Sequence, residues 1–131
     1  MSLRALFLAT PLLLSACGDE PISGFVDTEA TYRLTSIDSV AFTAPATIAF
    51  QRQGRVTGTA PCNNWSAEQL VPYPWFELGP IAATKRACAD LGAEQEFFTA
   101  LSEMTLAEVS GAILILSNDD GREMEFKAQS H

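Results

Sequence analysis

Only one stretch of this chain repeats its apolar residues with a helical period. The rest breaks into short strand-like runs separated by turn residues. That pattern restricts the chain to a hairpin-built sheet with a single helix laid on it. The helical stretch is Glu94 to Leu106, where Phe97, Leu101 and Met104 fall at i, i+4 and i+7 with Phe98 alongside. Glu94 and Glu96 stand in its first turn, where a carboxylate suits the positive end of the helix dipole, and Asp90 is a candidate N-cap. Strands are expected at Thr31–Ile37, Thr47–Phe50, Arg55–Thr59, Trp75–Leu78, Ala112–Leu116 and Glu123–Lys127. They are rich in β-branched and aromatic residues or alternate apolar with polar. Gln53-Gly54 and Asn118-Asp119-Asp120-Gly121 read as turns, and the second joins the last two strands as a hairpin. Gly58 interrupts its strand and implies a bulge or a close backbone approach. Pro72 and Pro74 make the preceding segment an edge strand or a loop, and Gly79-Pro80 ends the one after it. The expected fold is α+β: an antiparallel β-sheet or partly closed barrel with one main helix packed on it.

The start of the chain is a separate unit. Met1–Arg4 is short and positively charged, and Ala5–Leu14 is apolar apart from Thr10, with Pro11 inside it. Crossing a bilayer as a helix takes about 20 residues, so this run is too short. It reads as a secretory signal. It ends in Leu14-Ser15-Ala16-Cys17, which resembles a bacterial lipobox, where the cysteine is lipidated and becomes the new first residue. An ordinary signal peptide with a chance cysteine and a buried apolar strand are the alternatives. On the lipobox reading, residues 1–16 are a removable lipoprotein signal peptide and 115 residues remain, enough for one domain. Two or more acyl chains hold a protein stably to a membrane. Gly18, rather than an aspartate, follows the cysteine, which points to the outer membrane and a periplasm-facing domain. Residues 17–31 are acidic and lack apolar periodicity. They read as a flexible tether able to reach roughly 50 Å when extended. The alternative is that Ile22, Phe25 and Val26 dock on the domain, which otherwise occupies residues 32–128.

Composition narrows the chemistry. Eight Lys and Arg against sixteen Asp and Glu give a formal charge of −8, or −9 once Arg4 is removed with the signal. So acidic a chain is a poor nucleic-acid binder and adheres poorly to anionic lipid by charge alone. Its one histidine is the terminal His131. A cysteine hydrolase therefore lacks a base, and a zinc site built on two cysteines lacks its remaining ligands. There is no nucleophile-elbow, phosphate-loop or dinucleotide motif. Cys62 and Cys88 form an even pair once Cys17 is lipidated, and an oxidising compartment favours their joining. The bridge closes a 27-residue loop, worth about 3.5 kcal/mol by loop entropy. A redox-active pair is the competing reading. The spacing is not Cys-x-x-Cys, and Lys85 and Arg86 are the neighbouring charges that would lower a thiol pKa. Asn63 and Asn64 are expected to hydrogen-bond backbone where the strand leaves the sheet. Asn64-Trp65-Ser66 matches a glycosylation pattern that a bacterial lipoprotein seldom uses. Trp65, Tyr73 and Trp75, with Phe76, form either a partner-binding patch or a cap on the core. Glu94 with Glu96, and Asp119 with Asp120, could act as carboxylate pairs or calcium ligands, but helix-start and turn roles account for both.

Three segments together are distinctive: Gly54-Arg55-Val56-Thr57-Gly58-Thr59-Ala60-Pro61-Cys62-Asn63; Leu78-Gly79-Pro80-Ile81-Ala82-Ala83-Thr84 followed by Ala87-Cys88; and Glu94 with Phe97-Phe98 and Leu101. The chain resembles the META domain (HslJ-like) family over roughly Thr31 to Lys127. In that family, G-x-x-x-G-x-x-x-C-N precedes G-x-I-x-x-T-x-x-x-C and a helix opening with glutamate. Pro61 stands where members usually have glycine, Tyr32 where a tryptophan is common, and Lys85-Arg86 where a methionine often stands. The resemblance implies a compact α+β fold, an envelope or secreted setting and an association with stress responses, without an established catalytic activity. The expected function is a non-enzymatic, lipid-anchored envelope protein acting in stress tolerance or as an interaction module. Its expected partners are the membrane, through Cys17, and an envelope protein; nucleic acid, metal and cofactor are not expected. A thiol redox enzyme using Cys62 and Cys88, and a small-ligand carrier using the sheet interior, are the alternatives.

Overall fold

The computed structural model describes Ile22 and residues 26–129. The expected signal peptide, Cys17, the start of the tether, Phe25 and His131 lie outside the described residues. The elements are β1 (Tyr32–Ile37), β2 (Val40–Ala41), β3 (Thr47–Phe50), β4 (Arg55–Thr59), β5 (Asn64–Glu68), β6 (Ala82–Ala83), α1 (Leu91–Glu103), β7 (Leu106–Ser110), β8 (Ile113–Ser117) and β9 (Glu123–Ala128). The nine strands form an antiparallel sheet in the order β6-β5-β4-β3-β1-β9-β8-β7, with β2 folded back on β1. The chain enters at the middle of the sheet, runs outward through β3 and β4 to β5, and reaches β6 by the long segment 69–81. It crosses to the far edge by way of α1, then returns through hairpins to β9 beside β1. This is the expected α+β architecture with one helix packed on the sheet.

The ladder itself stays open, but the segment 74–79 bonds to both flanks. On one side Leu70 donates to the Glu77 carbonyl (2.9 Å) and Gly79 to the Glu68 carbonyl (2.8 Å). On the other, Phe76 donates to the Thr105 carbonyl and Ala107 to the Pro74 carbonyl, each at 2.8 Å. The strand expected at Trp75–Leu78 is thus reduced to two isolated bridges, Trp75 to Leu106 and Gln69 to Leu78. An extended segment serving two neighbours at once, with prolines 72, 74 and 80 lacking N–H groups, cannot build a ladder with either.

Four strands were not legible in advance, and two of them, β2 and β6, are only two residues long. In β5, Asn64, Ser66 and Glu68 face out and only Trp65 and Ala67 face in, so its apolar signal is thin. In β7, Leu106 follows the helix after two residues and falls inside the range expected to be helical. The helix runs over Leu91–Glu103, three residues earlier than the expected range at each end. It stops where Met104 turns extended (φ −74°, ψ 140°). Asp90 does occupy the N-cap position, but its side chain makes no capping hydrogen bond.

The core follows the strand alternation. Tyr32, Leu34, Ile48, Phe50, Val56, Leu114, Leu116, Met124 and Phe126 are all buried, and α1 adds Phe97, Ala100 and Leu101 from its inner face. Ile22, Val26 and Ala30 belong to the same core. The packed body therefore begins upstream of Tyr32, and the docking alternative describes Ile22 and Val26.

One surface lock joins three turns. Asp38 and Ser39 form the two-residue turn between β1 and β2, with φ of 52° and 64°, the left-handed pair that matches strand twist. The Asp38 carboxylate accepts from the Glu123 N–H (3.0 Å) and from the Arg122 guanidinium (3.0 and 3.1 Å), and Arg122 also donates to Glu103 at 2.8 Å. The Glu123 amide first, and then Arg122, hold the Asp38 carboxyl below the usual carboxylate range. Solvent reaches all three side chains, so their energetic weight is small and their effect is to fix turn geometry.

Gly58 makes the close approach expected of it. A Cβ there would collide with the Thr47 carbonyl and sit 2.7 Å from Trp65 Nε1. The indole of Trp65 crosses this bare position to donate to the Thr47 carbonyl at 3.3 Å. Gly58→Ala should therefore lower stability by about 2–3 kcal/mol, from overpacking and displacement of the indole. Urea unfolding followed by tryptophan fluorescence measures it; an unchanged midpoint would mean that the β3–β4–β5 layer tolerates a methyl group there.

Candidate functional site

The three sequence segments that stand out converge at one corner, where β4 leaves the sheet and β5 returns. Ala60 donates to the Asn63 carbonyl (2.7 Å), closing a tight turn that carries Pro61 and Cys62. Asn63 is buried, and its side-chain amide reaches across to the 84–88 segment. Its Oδ1 accepts from Thr84 Oγ1 (2.9 Å) and from the Arg86 N–H (2.6 Å). Its Nδ2 donates to the Arg86 carbonyl (2.9 Å) and to Glu94 Oε2 (2.8 Å). An asparagine amide has two donor protons and two acceptor positions, and all four are used.

Glu94 completes the arrangement from α1. Its side chain is buried, and Oε1 accepts the Cys62 N–H at 3.1 Å. Thr84 and Asn64 exchange further bonds: Asn64 N–H to Thr84 Oγ1 (3.2 Å) and Thr84 N–H to the Asn64 carbonyl (3.1 Å). Beside them Cys62 and Cys88 form a disulfide, with Cα atoms 5.6 Å apart. Cys62 is half-buried and Cys88 is exposed, its sulfur accepting the Asp90 N–H at 3.4 Å. The expected pairing is what the structure has.

This corner binds the molecule to itself. The polar atoms of Asn63 and Glu94 are spent on internal partners, and a buried polar group with every partner in place is stable where a half-satisfied one is costly. Asn63 bonds backbone as expected, whereas the side chain of Asn64 makes no such bond among the described residues. The expectation for Glu94 was incomplete: it lies in the first helical turn, but its carboxylate is turned inward onto the turn at Cys62. The sequence carried a signal for this. Glu94, Phe97 and Leu101 stand at i, i+3 and i+7, so an acidic residue occupies the apolar face. Glu96, its expected companion, is exposed.

The proposed aromatic patch is divided by the fold. Trp65 is a core residue at 3% exposure, packed edge-on against Phe97 and Phe98 with centroids 6.0 and 6.4 Å away. It faces inward because β5 is a strand and position 65 falls on its inner side. Tyr73 is half-buried, its hydroxyl accepting from the Val109 N–H at 3.4 Å. Phe76 is buried. Trp75 is 57% exposed, and Leu70 in the same loop is 56% exposed. The Gln69 side chain holds that loop, donating to the carbonyls of Val71 (2.9 Å) and Trp75 (2.8 Å) and accepting from the Glu77 N–H (3.2 Å). The sheet interior required by the carrier alternative is occupied by core side chains, Phe50, Phe97 and Phe126 among them.

A model of the META domain matches residues 26–131. The chain belongs to the META domain family. Comparison with curated proteins finds no match. Among solved structures, this META domain is similar to a protein from Burkholderia xenovorans determined by NMR. The TM-score is 0.64 at 18% identity, covering 86% of this chain and 90% of the other. It is also similar to the crystal structure of a DUF4847 family protein from Bacteroides vulgatus, with a TM-score of 0.64 at 10% identity over 84% of this chain and 99% of that one. A further NMR structure matches with a TM-score of 0.60 at 19% identity, over 76% and 89%. At these identities the likeness is one of fold.

The META corner is fastened twice, by the disulfide and by the Asn63–Glu94 bonds. Replacing both Cys62 and Cys88 by alanine should cost about 3 kcal/mol through the freed loop while leaving the 84–88 segment in place. Denaturant unfolding gives the first quantity. Protection of the Arg86 amide from hydrogen exchange gives the second, and an amide that exchanges at the unprotected rate would show that the bridge alone holds the segment.

Proposed function

We propose that this META-domain protein is a non-enzymatic, lipid-anchored component of a bacterial envelope, held through acylated Cys17 at the outer membrane with its domain facing the periplasm. The observation that carries this reading is the Cys62–Cys88 disulfide. Disulfides of this kind persist in oxidising compartments, which agrees with the export signal read at the start of the chain. Further support comes from the family motif itself: Asn63, Thr84 and Glu94 spend their polar atoms on one another, as parts of a scaffold do. Membership of the META family supports a setting in stress tolerance. The loop bearing Trp75 and Leu70 is the contact surface for an envelope protein partner, since exposed aromatic and aliphatic side chains on a braced loop favour association.

The test is expression of the full chain in a Gram-negative host, with mass spectrometry of the mature N-terminus and membrane fractionation of wild type and Cys17→Ala. The expected wild-type protein is acylated at Cys17, sediments with outer membrane and has residues 62 and 88 oxidised. The Cys17→Ala protein is expected to remain oxidised but to lose the acyl group and the membrane. Wild-type protein with an unmodified Cys17, or recovered from the cytosol with free thiols, would overturn the proposal.

A further inference from the structure

The outward face of the sheet carries a feature that the corner and the Trp75 loop do not use. In the antiparallel register, Lys127 lies opposite Arg33 and Arg33 opposite Thr47. Thr47 Oγ1 meets Thr59 Oγ1 at 2.9 Å, Thr59 lies opposite Asn64, and Asn64 bonds Thr84. One row of side chains thus crosses β9, β1, β3, β4 and β5 and ends beside β6: two cations, then hydroxyls and an amide. Adjacent strands lie about 4.8 Å apart, so the row extends over roughly 24 Å. An open groove of about 690 Å³ lies along its hydroxyl-bearing part, and a second hollow of about 410 Å³ lies at Arg33, Thr35 and Lys127.

Like charges placed directly opposite one another on neighbouring strands are unfavourable. Yet Arg33 and Lys127 are paired in register, both exposed, and neither makes an ion pair among the described residues. They do this in a chain with twice as many carboxylates as cations. Glu108 on β7, Glu123 and Glu125 on β9, and Glu68 on β5 opposite Arg55 also face outward, but none of them lines the groove or the hollow at the cation pair. The groove's one charged residue is Arg55. Its floor combines the small apolar side chains of Ala49, Ala82 and Ala83 with hydroxyls. The Thr47–Thr59 bond fixes two of those hydroxyls, while Ser66 and the Asn64 amide make no side-chain bond among the described residues.

We propose that this face binds an acidic oligosaccharide: Arg33 and Lys127 hold a carboxylate, and the threonine–asparagine row receives the ring hydroxyls of the adjoining sugars. Two facing cations suit one carboxylate through charge-assisted hydrogen bonds. A row crossing five strands suits an oligomer more than a single ring. Nucleic acid fits less well, because among the described residues the face presents no exposed aromatic side chain for base stacking, Trp65 being buried beneath it. The inference rests on the sheet face alone and is independent of the anchor at Cys17.

The test is titration of the full chain, isotope-labelled and purified in detergent, with a galacturonic acid hexamer, its uncharged galactose counterpart and a short single-stranded DNA, read by amide chemical shifts. The acidic hexamer should bind saturably, with shifts concentrated at Arg33, Thr47, Thr59, Asn64 and Lys127. Arg33→Gln and Lys127→Gln should each weaken it about tenfold, the loss expected for one charge-assisted hydrogen bond. Both positions are exposed, so these variants keep the fold. Arg52→Gln, which removes a cation outside the row, should leave affinity unchanged. The proposal is overturned if the acidic hexamer gives no saturable shifts, if DNA binds the same residues as tightly, or if Arg33→Gln and Lys127→Gln leave affinity unaltered.

Discussion

The buried carboxylate of Glu94 is the constraint around which the rest of the domain is arranged. It stands on the inner face of α1 between hydrophobic partners, where an unpartnered charge would cost several kcal/mol. The Cys62 amide and the Asn63 side chain satisfy it, and Asn63 in turn fixes Thr84 and Arg86. A single helical residue thereby sets where β4 turns into β5 and where the 84–88 segment runs. It also sets how the helix lies on the sheet, with Trp65 packed against Phe97 and Phe98.

This matters because the topology is otherwise demanding. The first strand lies in the middle of the sheet, flanked by β3 and by β9 from the far end of the chain. The two outer wings meet at β1, and the crossover through α1 and the segment 74–79 join them again. Long-range pairing of this kind must overcome loop-closure entropy before contacts form. The disulfide shortens the largest excursion by bridging 62 to 88, and the Glu94 bonds tie the same excursion to the helix. The Asp38–Arg122–Glu103 lock plays a smaller, solvent-screened part at the other end of α1.

Much of this was legible in the residues. The helical stripe of Phe97 and Leu101 gave the single helix, the short β-rich runs gave β1, β3, β4, β8 and β9, and Gly58 indicated a close approach that proves to be the passage of the Trp65 indole. Strands β2, β5, β6 and β7 were hidden. Strand β5 has only two inward residues to announce it, β2 and β6 are two residues each, and β7 starts two residues after the helix ends. Trp65 was read with Tyr73 and Trp75 because aromatic residues close in sequence look like one patch. Strand β5 sends position 65 into the core and leaves Trp75 outside. The inward turn of Glu94 was available as an acidic residue at an apolar-face position, but its partners, 31 and 32 residues away, are a tertiary fact.

In the domain that results, Asn63, Thr84 and Glu94 serve its own architecture. The account stands on Asn63 and Glu94 acting as one unit. A double-mutant cycle measures this most directly: urea unfolding of wild type, Asn63→Ala, Glu94→Ala and the double variant. Each single change should be strongly destabilising and the double change little worse than either, giving a coupling energy of about 1.5–3 kcal/mol. Effects that add to within about 0.5 kcal/mol would contradict it, since residues more than a contact apart behave that way.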